Sequence, residues 1–138
     1  MPLRFKANLT GREEVPPVCT DAFGSTKLVF SENLRELHFE LVVRCIEGFT
    51  QAHIHLGRRG ENGPVVAFLF GPVSPGIDAE KKVICGTITR GDLVGPLAGL
   101  PLTELTKHIK AGNAYVNAHT EAFPDGEIRG QIEPKLTC

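Results

Sequence analysis

Hydrophobic and polar positions alternate with a period of two along most of this chain. Leu3, Phe5, Ala7 and Leu9 interleave with Arg4, Lys6 and Asn8, the pattern of a strand with one buried face. Residues 23–30 read as a second strand and Ser31-Glu32-Asn33 as a tight turn. A third and longest strand is expected over 34–46, burying Leu37, Phe39, Leu41, Val43 and Cys45. After Gly48, the stretch Gln51-Ala52-His53-Ile54-His55-Leu56-Gly57 alternates again. Residues 65–70 form a short apolar strand, 71–80 an irregular excursion with Pro72, Pro75 and Gly76, and 83–89 a further strand.

Helical spacing occurs once. Leu102, Leu105 and Ile109 recur on one face, so a short helix is expected at about 102–111, with Thr103 as its cap, Glu104 in its first turn and Gly112 as its stop. Strands at 113–119 and 127–133 follow, joined by the turn Pro124-Asp125-Gly126. About eight strands, many turns and one helix predict an all-β fold: a single Greek-key sandwich or barrel filling residues 1–138 as one domain.

The overall composition excludes several classes. Fifteen basic residues against sixteen acidic ones leave no electrostatic footprint for nucleic acid. No apolar run approaches the ~20 residues of a spanning helix, so membrane insertion is not expected. The Gly57, Gly60, Gly63 loop lacks the ending of a phosphate-binding loop and reads as a hairpin connection, and no organic cofactor is implied. The start, Met1-Pro2-Leu3-Arg4-Phe5, lacks the apolar segment of a secretory signal. The expected compartment is therefore the cytoplasm for the chain as written, and the surface or the extracellular space for a trimmed mature form. Of the four cysteines, Cys45 is expected to be a buried thiol, and a bridge between Cys19 and Cys138 is conceivable without being predicted.

Candidate chemistry centres on histidine. Alternation puts His53 and His55 on one strand face, opposite Ala52, Ile54 and Leu56. In Tyr115-Val116-Asn117-Ala118-His119-Thr120 it puts His119 opposite Val116 and Ala118. If these strands are neighbours, three neutral imidazoles face one point, a set suited to one copper or zinc ion with a position left open. Glu127 or Asp125 could add a fourth ligand or orient a ring. The competing expectation is a metal-free polar network of the strand histidines with Asn117, Thr120, Glu127 and Arg129. His38 and His108 read as solvent-facing. Arg129 reads first as an exposed residue paired with Glu127 or Glu133, and second as a fixed positive charge beside the histidines.

The succession Leu9-Thr10-Gly11, Glu14-Val15-Pro16-Pro17, Ala52-His53-Ile54-His55-Leu56-Gly57, Asn62-Gly63-Pro64-Val65-Val66, Gly112 through Thr120 and Pro124-Asp125-Gly126-Glu127-Ile128-Arg129-Gly130-Gln131 resembles the CHRD domain family across nearly the whole chain. That resemblance implies a β-rich module, found in bacterial proteins and in secreted animal proteins. A second resemblance is to the Cu,Zn superoxide dismutase family. Its Ig-like Greek-key barrel carries a His-x-His strand, a late copper-binding histidine and an arginine that guides the anionic substrate. His53, His55, His119 and Arg129 occur here in that order, but residues 56–107 contain no histidine for a second metal. Two functions follow as expectations. One is a non-enzymatic binding or structural module with a three-histidine metal site and an unidentified protein or surface partner. The other is a mononuclear copper oxidoreductase with Arg129 in its active site.

Overall fold

The computed structural model describes residues 3–135. Its elements are β1 (Arg4–Thr10), β2 (Phe23–Phe30), β3 (Leu37–Leu56), β4 (Val65–Phe70), β5 (Ile77–Ile88), α1 (Leu102–Lys110), β6 (Ala114–Thr120), β7 (Ile128–Gln131) and β8 (Glu133–Pro134). The expected all-β barrel with one helix is the fold observed.

β3 organises it. Its first half pairs with β2 and β5, and its second half with β6 and β4, all antiparallel. Residues 37–44 face β2 and β5 at once, and Phe49 faces β5 and β6 at once, so β2 and β6 share one edge of β3. From that edge the pairing runs β2–β1–β7–β6 and returns to β3, closing a barrel. β5 and β4 line the other edge.

Such a strand must bend, and two positions with positive φ provide the bend: Cys45 at 52° and Gly48 at 64°. Both are left-handed conformations, cheap for glycine and costly for cysteine. They change which side chains point inward. Along β3 the buried apolar positions step by three from Val43 to Ile46, Phe49 and Ala52, then return to steps of two at Ile54 and Leu56. Two corrections to the alternation follow. The expected strand at 34–46 and the histidine strand are one element, and Cys45 is exposed rather than buried.

Other boundaries moved for similar local reasons. Leu34 has φ 58° and lies in a longer turn closed by the bond from the Ser31 N–H to the Glu36 carbonyl. β5 begins at Ile77, inside the expected excursion, because its partner β3 continues through Phe49. The helix has Pro101 at its N-cap position, with no side-chain cap; Thr103 lies inside the first turn. The closing segment divides at the buried Ile132 into β7 and β8, both paired with β1. Arg90-Gly91-Asp92 is a turn, capped reciprocally by Thr89 and Asp92. Cys19 is exposed, and Cys138 lies outside the described residues.

The barrel interior is filled by Leu9, Leu28, Leu41, Ile54, Val116 and Ile128, all without solvent exposure, and α1 adds Leu102, Leu105 and Ile109 to the same core. Each large aliphatic side chain so buried stabilises the fold by about 1.5–3 kcal/mol. Closure also demands close backbone approach between β7 and β1. A Cβ on Gly130 would run into the backbone of Asn8. Gly130→Ala should therefore lower the urea midpoint by the equivalent of about 1–3 kcal/mol at unchanged m-value. An unaltered midpoint would show that the two strands have room to part.

Candidate functional site

β3 and β6 are adjacent, with Gln51 opposite His119, His53 opposite Asn117 and His55 opposite Tyr115. Their inner positions, Ala52, Ile54, Leu56, Ala114, Val116 and Ala118, face the core. Alternation then sends His53, His55, Tyr115, Asn117 and His119 to the outer face of the barrel. That face is not in water. Every residue of β6 is buried, and His53, His55 and His119 are only 4%, 7% and 7% exposed. Segments 11–20, 57–64 and 121–126 form the roof through the contacts given below.

Backbone carbonyls set two of the rings. His55 Nδ1 lies 2.9 Å from the Gly63 carbonyl oxygen, and His119 Nδ1 lies 2.8 Å from that of Pro124. A carbonyl only accepts, so both Nδ1 atoms carry hydrogen and both neutral rings leave Nε2 bare. His53 Nδ1 stands 3.1 Å from His119 Nε2, while His53 Nε2 stands 3.0 Å from Gln51 Oε1. Because His119 Nε2 is bare, either a proton on His53 Nδ1 or a cation must occupy the space between them. His55 Nε2 is buried and has no hydrogen-bond partner among the described residues. One ligand atom from each of the three rings lies within 4.8 Å of the others.

All three rings are held neutral. Burial first, then the neighbouring rings of His119 and His55, push His53 down to about 3. Burial also lowers His55 and His119, against the opposing effect of the Gly63 and Pro124 carbonyls that accept from them. Neutral imidazole is the form that binds a metal ion.

Around the rings lies a packed polar layer. The Tyr115 ring stacks on His55 at 4.8 Å and 7°, and the Arg129 guanidinium carbon sits 3.5 Å from the centre of the Tyr115 ring. Arg129 is 1% exposed and donates to Asn62 Oδ1 and to the Arg58 carbonyl. Asn62 in turn donates to the Val15 carbonyl, and Gln131 to those of Gly57 and Gly112, so the strands hold the roof loops in place. Glu127 accepts from Thr20 and Thr120. Glu14 is buried, with Oε2 unpartnered among the described residues. Burial raises its pKa to about 7, against the charge of Arg129 and the amide of Asn117.

The structure thus brings together His53, His55 and His119. It does not give Arg129 its expected exposed place, and Glu133 pairs with Arg59 instead. Glu127 is engaged by two hydroxyls rather than by a histidine, whereas the Asp125 charge lies near enough to His119 to favour its protonation. His38 is exposed beside Thr87; His108 is half-buried and bonded to Asn113. Glu14, Asn62 and Tyr115 had no assigned role in the sequence. Their only signal was membership in the loop and strand motifs.

Glu14 carries a pH signature. Its folded pKa lies above the ordinary 4.5, so the native state keeps a proton that the unfolded chain gives up between pH 4.5 and about 7. Its contribution to stability is complete below that window and declines as pH rises through it. Glu14→Gln, which mimics the neutral acid, should gain on the parent as pH rises from 5 to 8 in the presence of chelator. An equal stability difference at both ends would contradict a protonated Glu14.

Comparison with known proteins bears on the whole domain. The model of the CHRD domain family matches residues 5–132. Chordin of Xenopus laevis is 28% identical over 138 residues, an alignment covering 94% of this chain and 13% of that protein's length. The chain thus corresponds to a small part of its relative. No solved structure matches. With the matched region running from β1 to the residue before β8, the chain belongs to the CHRD domain family.

Proposed function

We propose that this CHRD module binds one copper or zinc ion through His53 Nδ1, His55 Nε2 and His119 Nε2, as part of a non-enzymatic binding or structural role. The observation that carries this is the bare and buried Nε2 of His55, without a hydrogen-bond partner among the described residues and on the same face as two nitrogens 3.1 Å apart. An orphaned buried acceptor costs about 1–3 kcal/mol, and a divalent ion would offset that cost at His55 Nε2 while also engaging the other two nitrogens. Backbone carbonyls orienting His55 and His119 through their far nitrogens are the supporting shell that metal-bound histidines ordinarily have. Neutral nitrogen donors suit zinc and copper alike.

The oxidoreductase reading has less support. It asks Arg129 to meet an anion, yet two of its donor nitrogens serve Asn62 and Arg58 and its face is stacked on Tyr115. The likeness to part of chordin favours an extracellular setting. No described helix is long and apolar enough to cross a membrane.

Calorimetric titration with zinc and with copper should give one ion per chain. Free metal at a hundred times Kd should raise stability by about 2.7 kcal/mol. His119→Ala should abolish both effects. Failure of both metals to bind at micromolar concentration would remove the proposal.

A further inference from the structure

We propose, resting on that metal-binding role, that Asn117 is a fourth ligand, its side-chain oxygen Oδ1 completing a site with three nitrogens and one neutral oxygen. Asn117 lies opposite His53 across the β3–β6 pairing and is 2% exposed. Its Oδ1 stands 2.9 Å from His119 Nε2, an atom that bears no hydrogen because the Pro124 carbonyl takes the proton at the other end of the ring. Two bare acceptors at that distance repel each other, and a shared cation removes the repulsion. Bonds of about 2.0–2.1 Å at tetrahedral angles put neighbouring ligand atoms about 3.3 Å apart. The 3.1 Å from His53 to His119 and the 2.9 Å from His119 to Asn117 are close to that spacing, while His55 would have to move in on binding, because the three ring atoms span up to 4.8 Å.

A second feature decides which end of the amide faces the rings. Gly126 lies beside both the Asn117 amide nitrogen and a Glu14 carboxyl oxygen: a Cβ built there would stand 2.8 Å from Asn117 Nδ2 and 2.5 Å from Glu14 Oε2. That Glu14 oxygen is buried and has no hydrogen-bond partner among the described residues. The Asn117 side chain lowers the Glu14 pKa, as an amide N–H directed at the carboxyl would, and that orientation leaves Oδ1 toward the histidines. Glu14 is thus a positioning residue for Asn117, much as carboxylates position metal-bound histidines. Gly126, with φ 124°, keeps the two in reach. The four proposed ligands are all neutral, so the bound ion keeps its full charge beneath the roof loops.

Cobalt(II) titration of the full chain tests this, because its visible band reports ligand type and number. The parent should develop one band at one equivalent. Asn117→Ala should weaken cobalt binding about tenfold or more and change the band. Asn117→Asp, which keeps the shape and adds a charge, should bind more tightly and shift the band. If Asn117→Ala does not fold, as judged by its melt without metal, Asn117→Asp alone decides. Either variant that folds and keeps the parent's band, with affinity within about twofold, would overturn the role of Asn117 while leaving the three-histidine site intact. No band in the parent would overturn both.

Discussion

The double burial of β6 is the constraint on which the rest of the structure depends. One face of this strand sits in the apolar core and the other beneath loops, so polar side chains on the outer face must find partners within the protein. Most do. His55 and His119 donate to the Gly63 and Pro124 carbonyls, Arg129 to Asn62 and Arg58, and Gln131 to Gly57 and Gly112. All of these bonds except that to Gly112 also fasten a roof loop, which is how the loops come to bury the site. Among the described residues, the atoms left without hydrogen-bond partners on this face are His55 Nε2 and Glu14 Oε2. The Asn117 side chain influences both groups, lowering the Glu14 pKa and raising that of His55 against the larger effects of burial.

The same layering explains how a small barrel keeps its histidines neutral. Positive charge is disfavoured first by loss of water, then, for His53 and His55, by neighbouring histidines, and for His55 also by Arg129. Tyr115 lies between that guanidinium and His55, contacting both through its ring, and its hydroxyl accepts from the Gly63 N–H. Gly63 therefore touches the site twice, through its N–H and through its carbonyl. A residue with a side chain there would strike the Leu56 backbone.

Much of this was legible in the sequence. Period-two alternation located most of the strands and put His53, His55 and His119 opposite the apolar positions, but the loops read only as connections and not as a cover over the histidines. Legibility ended where the chain leaves ideal geometry. Nothing in the alternation anticipates a bend at Cys45, a residue type that seldom takes positive φ, and so the buried positions beyond it were displaced. Arg129 was misplaced for another reason. Charged residues are nearly always exposed, and the partners that permit its burial lie 67 and 71 residues away. Glu14 was invisible likewise, being polar in a proline-bearing loop and buried only because the roof closes over it.

The central claim is that the outer-face histidines beneath the loops form a metal site. Anomalous diffraction from crystals grown with zinc, collected on either side of the zinc edge, tests it most directly. One peak is expected about 2.0–2.1 Å from His53 Nδ1, His55 Nε2 and His119 Nε2. Density without a peak at that point, with His53 Nδ1 still facing His119 Nε2 at hydrogen-bonding distance, would contradict it.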